Sequence, residues 1–194
     1  DPETGRWGIG VDEGGVHALE ALILARYYMF TQVYFNVTGK VLELHFNEWL
    51  RQSGRRWPAE PEAFLAHDDV STLSDMRRSD SPHALAITAR RRYELAYESR
   101  EHLEPEEKSR IEALLPELKE RFGAALLVSN SEKSPHRLGS ARVLVRSYDG
   151  ELEPMEQASH FLRHLGRIDL YRVYAPEERL AEVAGEIQRR LPGG

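Results

Sequence analysis

Apolar residues recur every three or four positions through the first part of the chain, which is the spacing of one helix face. From about residue 15 to residue 50 they are Leu19, Leu22, Ile23, Phe30, Val33, Val37, Val41 and Leu44, a pattern that predicts one long amphipathic helix. Shorter helices are predicted after Pro61 and Pro82, and after an N-cap at Asp69 or Ser71. Residues 1–90 are therefore predicted to form a helical part.

The hydrophobic period changes in the second half of the chain. Tyr93, Leu95 and Tyr97 alternate with Glu94, Ala96 and Glu98, as in a half-buried strand. Further strands are predicted over 124–128, 141–148 and 169–173, and helices over 104–121, 153–165 and 176–191. The order βαββαβ followed by a helix is typical of a ferredoxin-like plan. We therefore predict an α+β protein in which residues 91–194 form a ferredoxin-like lobe after the helical part.

Composition limits the classes of function. The chain has 194 residues, of which 30% are charged, and its net charge is -6. This acidity argues against a general nucleic-acid-binding surface, so an anion site must be local. The chain contains no cysteine and no apolar run long enough to cross a membrane, so we expect a cytoplasmic protein that has no membrane partner.

Arg26 lies inside the apolar stripe of the predicted long helix, where a charge needs a partner. Tyr34 follows eight residues later, about 12 Å along an ideal helix axis and about 80° around it. The two side chains could line one wall of a nucleotide-sized pocket. The alternative is structural: an ion pair of Arg26 with Glu20 or Asp12, and a core phenol at Tyr34.

The sequence V-D-E-x-G-V-H-A-L-E, followed by L-A-R-Y-Y-M-F-x-Q-V-Y-F, resembles the core helix of the HD-domain deoxynucleoside triphosphate triphosphohydrolases. The resemblance implies a hydrolase that converts a deoxynucleoside triphosphate into deoxynucleoside and triphosphate. It also implies that Arg26 contacts the triphosphate and that Tyr34 packs on the deoxyribose. Asn36 stands where relatives often have histidine.

The metal site of that family is formed by residues upstream of this helix, and this sequence has no counterpart of them. We therefore expect a C-terminal part that contributes phosphate and sugar contacts but is inactive alone. The divalent metal, Mg, Mn, Fe or Zn, is expected only in the N-terminal HD part. For the His67-Asp68 dipeptide, a helix-capping or turn role of Asp68 and Asp69 is favoured over metal binding. A solvated helix face is favoured for His160 and His164.

The arginine cluster before Tyr93 offers a second phosphate site, with Arg92 its best candidate through the resemblance; a solvated helix end is the alternative. Asp12 and Glu13 stand where activated relatives hold an effector nucleotide with basic residues. We therefore predict that nucleotide activation is absent or altered. A homo-oligomer is expected, and a non-catalytic oligomerisation or regulatory module remains the alternative function.

Overall fold

The described part of the chain, residue 5 with residues 10–135 and 143–191, is mainly helical in this computed structural model. Its α-helices are α1 Val16–Tyr28, α2 Val37–Ser53, α3 Pro61–Leu65, α4 Asp69–Arg77, α5 Pro82–Thr88, α6 Pro105–Phe122, α7 Met155–Ala158, α8 His160–His164 and α9 Glu177–Arg190. A π-helix, Met29–Tyr34, follows α1 directly. No helix built from these residues has the length and apolar character needed to span a bilayer.

The strands form two small sheets. They are β1 Gly10–Asp12, β2 Glu94–Glu98, β3 Leu127–Lys133, β4 Leu144–Arg146, β5 Leu152–Pro154 and β6 Ile168–Ala175. One sheet has the order β1-β4-β5, in which β1 is parallel and β5 antiparallel to β4. The other has the order β2-β6-β3, with β2 antiparallel to β6. The α+β class, with helices first and a strand-containing part after them, is confirmed.

The sheet arrangement differs from the ferredoxin-like plan. The third predicted strand, 141–148, corresponds to β4, which pairs with β1 rather than joining the other three strands. The predicted helix over 153–165 is divided at Ser159, whose backbone is extended and whose hydroxyl accepts a hydrogen bond from the Leu162 N–H at 3.1 Å. Ser159 therefore ends α7 and caps α8.

The chain folds into two compact units, and each is built from two separate stretches. Unit 1 contains Asp1–Phe35 and Ser131–Asp169, and unit 2 contains Asn36–Asn130 and Leu170–Gly194. The two parts predicted from the sequence were instead divided at residue 90. In unit 1, α1 packs its buried Leu19 and Ile23 on residues of β4, α7 and α8.

The single long helix predicted from the apolar stripe is wrong. The π-helix ends at Tyr34, and α2 starts at Val37 with Asn36 as its N-cap. The Asn36 side-chain oxygen accepts a hydrogen bond from the Gly39 N–H at 3.1 Å. Asparagine is among the best N-cap residues because its side chain satisfies a backbone donor that has no partner within the helix. The apolar residues keep their helical spacing across the boundary between the two helices, so periodicity alone does not reveal that a new helix begins there.

Replacing Asn36 with alanine should lower the free energy of unfolding by about 1 kcal/mol, the usual cost of losing an N-cap. Urea unfolding followed by circular dichroism measures this change. Thr38→Ala is the control, since Thr38 is an exposed residue of the same helical turn and its side chain is not the cap. Equal effects of the two substitutions would contradict the capping role.

Candidate functional site

Arg26, Phe30 and Tyr34 form a row on the last turns of α1 and on the π-helix. The Arg26 guanidinium lies 5.4 Å from the centroid of the Phe30 ring. The Tyr34 ring lies 5.5 Å from the same ring, centroid to centroid, at an interplanar angle of 41°. The two residues singled out from the sequence are thus brought to one aromatic side chain.

Arg26 is half-buried and is also held by the backbone of a distant segment. Its Nε donates a hydrogen bond to the Pro135 carbonyl oxygen at 3.3 Å. The two carboxylates considered as its ion-pair partners are engaged elsewhere: Glu20 accepts from the Ser159 hydroxyl at 2.5 Å, and Asp12 pairs with Arg146 at 2.7 Å. Arg26 is therefore positioned by a carbonyl and a ring rather than by either of these acidic groups.

Lys133 completes the cluster, and sequence reasoning missed it. Its Nζ lies 5.2 Å from the centroid of the Phe30 ring. The sequence placed this residue in a polar loop, whereas it ends β3. No local signal could have found it, because only the fold brings residue 133 to the helix that carries residue 30. We call Arg26, Phe30, Tyr34 and Lys133 the Phe30 cluster.

Two positive charges beside one ring make the Phe30 cluster suited to an anion. Each cation is attracted by the electron-rich ring of Phe30. Their mutual repulsion is relieved when a negative group lies between them. A guanidinium contacts phosphate oxygens through two parallel donors, and an ammonium through a point charge. The arrangement therefore fits a group that carries several phosphate oxygens.

Tyr34 is an exposed surface residue, not the core phenol of the structural alternative. Its side chain is 58% exposed. The π-helix explains the difference: the Phe35 N–H donates to the Phe30 carbonyl oxygen, five residues earlier, at 2.8 Å. The wider turn moves the residues after Met29 away from their positions on an ideal α-helix. Such π-helical turns occur often at functional sites.

Arg92 lies between α5 and β2 in unit 2 and is half-buried. Arg90, two residues earlier, has a φ of 56°, a left-handed conformation that non-glycine residues rarely adopt. The chain therefore turns sharply between the end of α5 and Arg92. Whether Arg92 contacts phosphate stays a prediction.

The acidic residues at the start of α1 have partners of their own. Asp12 pairs with Arg146 across β1 and β4. The Glu13 carboxylate accepts a hydrogen bond from the Tyr148 N–H at 2.9 Å. These contacts give both carboxylates a structural role in the first sheet of unit 1. The predicted loss of nucleotide activation stays a prediction.

Asp68 caps a helix, as predicted. Its carboxylate accepts a hydrogen bond from the Ser71 N–H at 2.7 Å, and the Ser71 hydroxyl accepts from the Asp68 N–H at 3.1 Å. This reciprocal pair is a capping box at the start of α4. His160 and His164 stack on one exposed turn, with ring centroids 4.2 Å apart.

A buried pair of histidines lies in unit 2. His45 Nδ1 and His83 Nδ1 are 3.0 Å apart, and His45 Nε2 accepts a hydrogen bond from the Tyr93 N–H at 3.2 Å. Because Nε2 is the acceptor, the neutral His45 ring carries its proton on Nδ1 and donates it to His83. Burial, together with the electrostatic effect of His83, lowers the pKa of His45 to about 4. The pair is a neutral structural contact at physiological pH.

The family model described as the HD associated region matches residues 7–192. The chain belongs to the HD associated region family. This HD associated region resembles solved structures that are about twice its length. A hypothetical protein from Aquifex aeolicus is 25% identical with a TM-score of 0.70, over 91% of this chain and 46% of that one. A phosphohydrolase from Bacteroides thetaiotaomicron is 17% identical with a TM-score of 0.53, over 86% of this chain and 51% of that one.

The HD associated region therefore spans about half the length of each of these two structures. No curated protein matches the chain significantly. The phosphohydrolase structure shares the fold of this HD associated region.

Proposed function

We propose that this chain is the part of an HD-domain phosphohydrolase that contacts the phosphates and the sugar of a deoxynucleoside triphosphate. The observation that carries the proposal is the Phe30 cluster, in which Arg26 and Lys133 lie within 5.4 Å and 5.2 Å of one ring centroid. The family and the fold of a phosphohydrolase support it. The reaction would give deoxynucleoside and triphosphate in a cytoplasmic enzyme.

Each residue of the cluster has a separate role in this proposal. Arg26 contacts two phosphate oxygens through its guanidinium fork, and Lys133 adds a second positive charge along the triphosphate. Tyr34 is exposed at the end of the row, where its ring can cover the sugar. A ring pressed on the sugar disfavours a ribose, since its 2′-hydroxyl takes more room.

A divalent metal is implied by the HD family and would activate a water for attack on phosphorus when bound. The described residues include no group of three or more histidine, cysteine, aspartate or glutamate side chains suited to hold such an ion. These residues do not fit a metal, so we assign the chain binding and orientation only. Arg92 is proposed as a second phosphate contact, in unit 2.

The test is the binding of inorganic triphosphate and of dATP to the purified chain, by isothermal titration calorimetry. Arg26→Ala and Lys133→Ala should each weaken triphosphate binding by about tenfold, the loss of one charge-assisted contact. Arg77→Ala removes the same charge from an exposed residue of α4 and is the control. Unchanged binding in both cluster variants would refute the proposal.

Tyr34→Ala should reduce the preference for dATP over ATP without weakening the binding of inorganic triphosphate. The reason is that the ring contacts the sugar and not the phosphates. Calorimetric titrations of the three ligands against the variant and the unchanged chain measure this. Equal losses for all three ligands would show that Tyr34 has only a structural role.

A non-catalytic oligomerisation or regulatory module is the second candidate function. It is favoured by large apolar side chains that α1 and the π-helix expose: Leu22, Tyr28, Met29 and Val33, of which Val33 is 63% exposed. Exposed apolar surfaces of this kind often mark contacts between proteins. Light scattering coupled to size exclusion gives the mass of the chain, and Val33→Asp should reduce it to 22.3 kDa if this face joins copies.

A further inference from the structure

A cavity of about 580 Å³ lies in unit 2, away from the residues of the Phe30 cluster in the sequence. Helices α2 to α5 and the segment before α3 contribute to its lining. Three aromatic rings, Phe46, Trp57 and Phe64, line it together with aliphatic side chains such as Leu73 and Ile87. Its volume falls in the range of small-molecule sites, which are mostly apolar with a few polar groups that orient the ligand.

The polar side chains that line this cavity are His67, Thr72 and three carboxylates. Glu43, Asp68 and Asp69 all line it. Glu43 is paired with Lys40, at 2.9 Å between Oε2 and Nζ. One carboxylate oxygen of Asp68 accepts the hydrogen bond that caps α4. The same hydrogen bond from the Ser71 N–H lowers the pKa of Asp68, so this carboxyl group is ionised at neutral pH. Asp68 and Asp69 therefore add two carboxylates to the lining of an aromatic cavity.

This charge excludes one class of ligand and favours another. A nucleotide or another polyanion is repelled by adjacent carboxylates. A cation is attracted both by the carboxylates and by the faces of aromatic rings. The Phe64 side chain is 51% exposed, so the aromatic surface still has area that a ligand can cover. A ligand with an apolar body and one positive charge would match both the aromatic rings and the carboxylates that line the cavity.

We propose that this cavity binds an organic cation whose apolar ring lies among Phe46, Trp57 and Phe64 and whose charge lies against Asp68 and Asp69. Two features carry the inference: the size of the aromatic cavity, and the negative charge of Asp68 and Asp69 in its lining. The proposal is independent of the function proposed for the Phe30 cluster. It would hold even if that cluster bound no nucleotide.

The first experiment compares ligands that share a ring and differ in charge. Tryptamine, phenethylamine and benzyltrimethylammonium are titrated against the 194-residue chain, and the Trp57 indole N–H signal is followed by nuclear magnetic resonance. Indole-3-propionate is the matched anion for tryptamine. We expect the cations to shift this signal, and the anion to bind about tenfold more weakly or not at all. Equal binding of the anion, or no binding of any of the three cations, would overturn the proposal.

The second experiment changes the cavity. Asp69→Asn should weaken tryptamine binding by about fivefold through the loss of one negative charge, and it leaves the Asp68 cap in place. Asp80→Asn makes the same change at an exposed residue outside the lining and should leave binding unchanged. Leu73→Trp should fill the cavity and abolish binding. Tryptamine affinity that is unaffected by Asp69→Asn, or reduced as much by Asp80→Asn, would assign its binding to another part of the surface.

Discussion

Between about pH 7.5 and about pH 5, the free energy of unfolding of this chain should fall by about 2 kcal/mol through His45 alone. An unfolded histidine takes up a proton near pH ~6.5, whereas burial lowers the pKa of His45 to about 4. The unfolded chain therefore binds more protons in this window. The contribution of His45 to the free energy of unfolding is fully present above about pH 6.5. It decreases as the pH falls and stops changing below about pH 4.

Urea unfolding at a series of pH values tests this expectation. His45→Asn removes the titrating group and should flatten the pH dependence, at the cost of lower stability at neutral pH. His17→Asn is the control, because the His17 side chain is 95% exposed. Burial also lowers the pKa of His83, so His83 adds to the slope with the same sign. A curve as steep in the His45 variant as in the unchanged chain would contradict the assignment.

Ile23→Ala should lower the free energy of unfolding by about 3 kcal/mol, within the usual range for a buried aliphatic residue cut to alanine. Ile23 is fully buried, with 0% of its side chain exposed. It lies in the core of unit 1 with Leu19, Val145 and Leu162. The substitution removes buried apolar atoms of Ile23 and leaves a cavity among these side chains. Urea unfolding followed by circular dichroism gives the change.

Leu22→Ala is the matched control on the same helix. Leu22 belongs to the same apolar stripe in the sequence, yet its side chain is 53% exposed. Its truncation should change the free energy of unfolding by less than about 0.5 kcal/mol. A large effect at Leu22 with a small one at Ile23 would mean that α1 packs on a different face.

Local signals in the sequence predicted much of the fold. Pro61 and Pro82 start α3 and α5, and the capping box of Asp68 starts α4. Gly123, with a φ of 56°, ends α6 where a glycine was expected. Each of these features depends on a few neighbouring residues, so the sequence contains all the information needed.

Features that depend on distant residues were not predictable. The pairing of β1 with β4 joins residues 134 positions apart, as between Gly10 and Leu144, and three-residue strands give almost no periodic signal. The π-helix was missed because the same residues also suit an α-helix. In the candidate site, Arg26 was found from its place in an apolar stripe, whereas Lys133 reaches the same Phe30 ring only through folding.

Each unit is built from two segments of the chain, and a segment of the other unit lies between them in the sequence. On the ribosome, β1 is synthesised long before its partner β4, and β2 long before its partner β6. Neither sheet can therefore form before most of these 194 residues have emerged. Contacts between residues so far apart in sequence slow folding. No cut at one position separates the units into two continuous fragments. The strands that join β1 and β2 to their sheets, β4 and β6, are therefore synthesised well after β1 and β2.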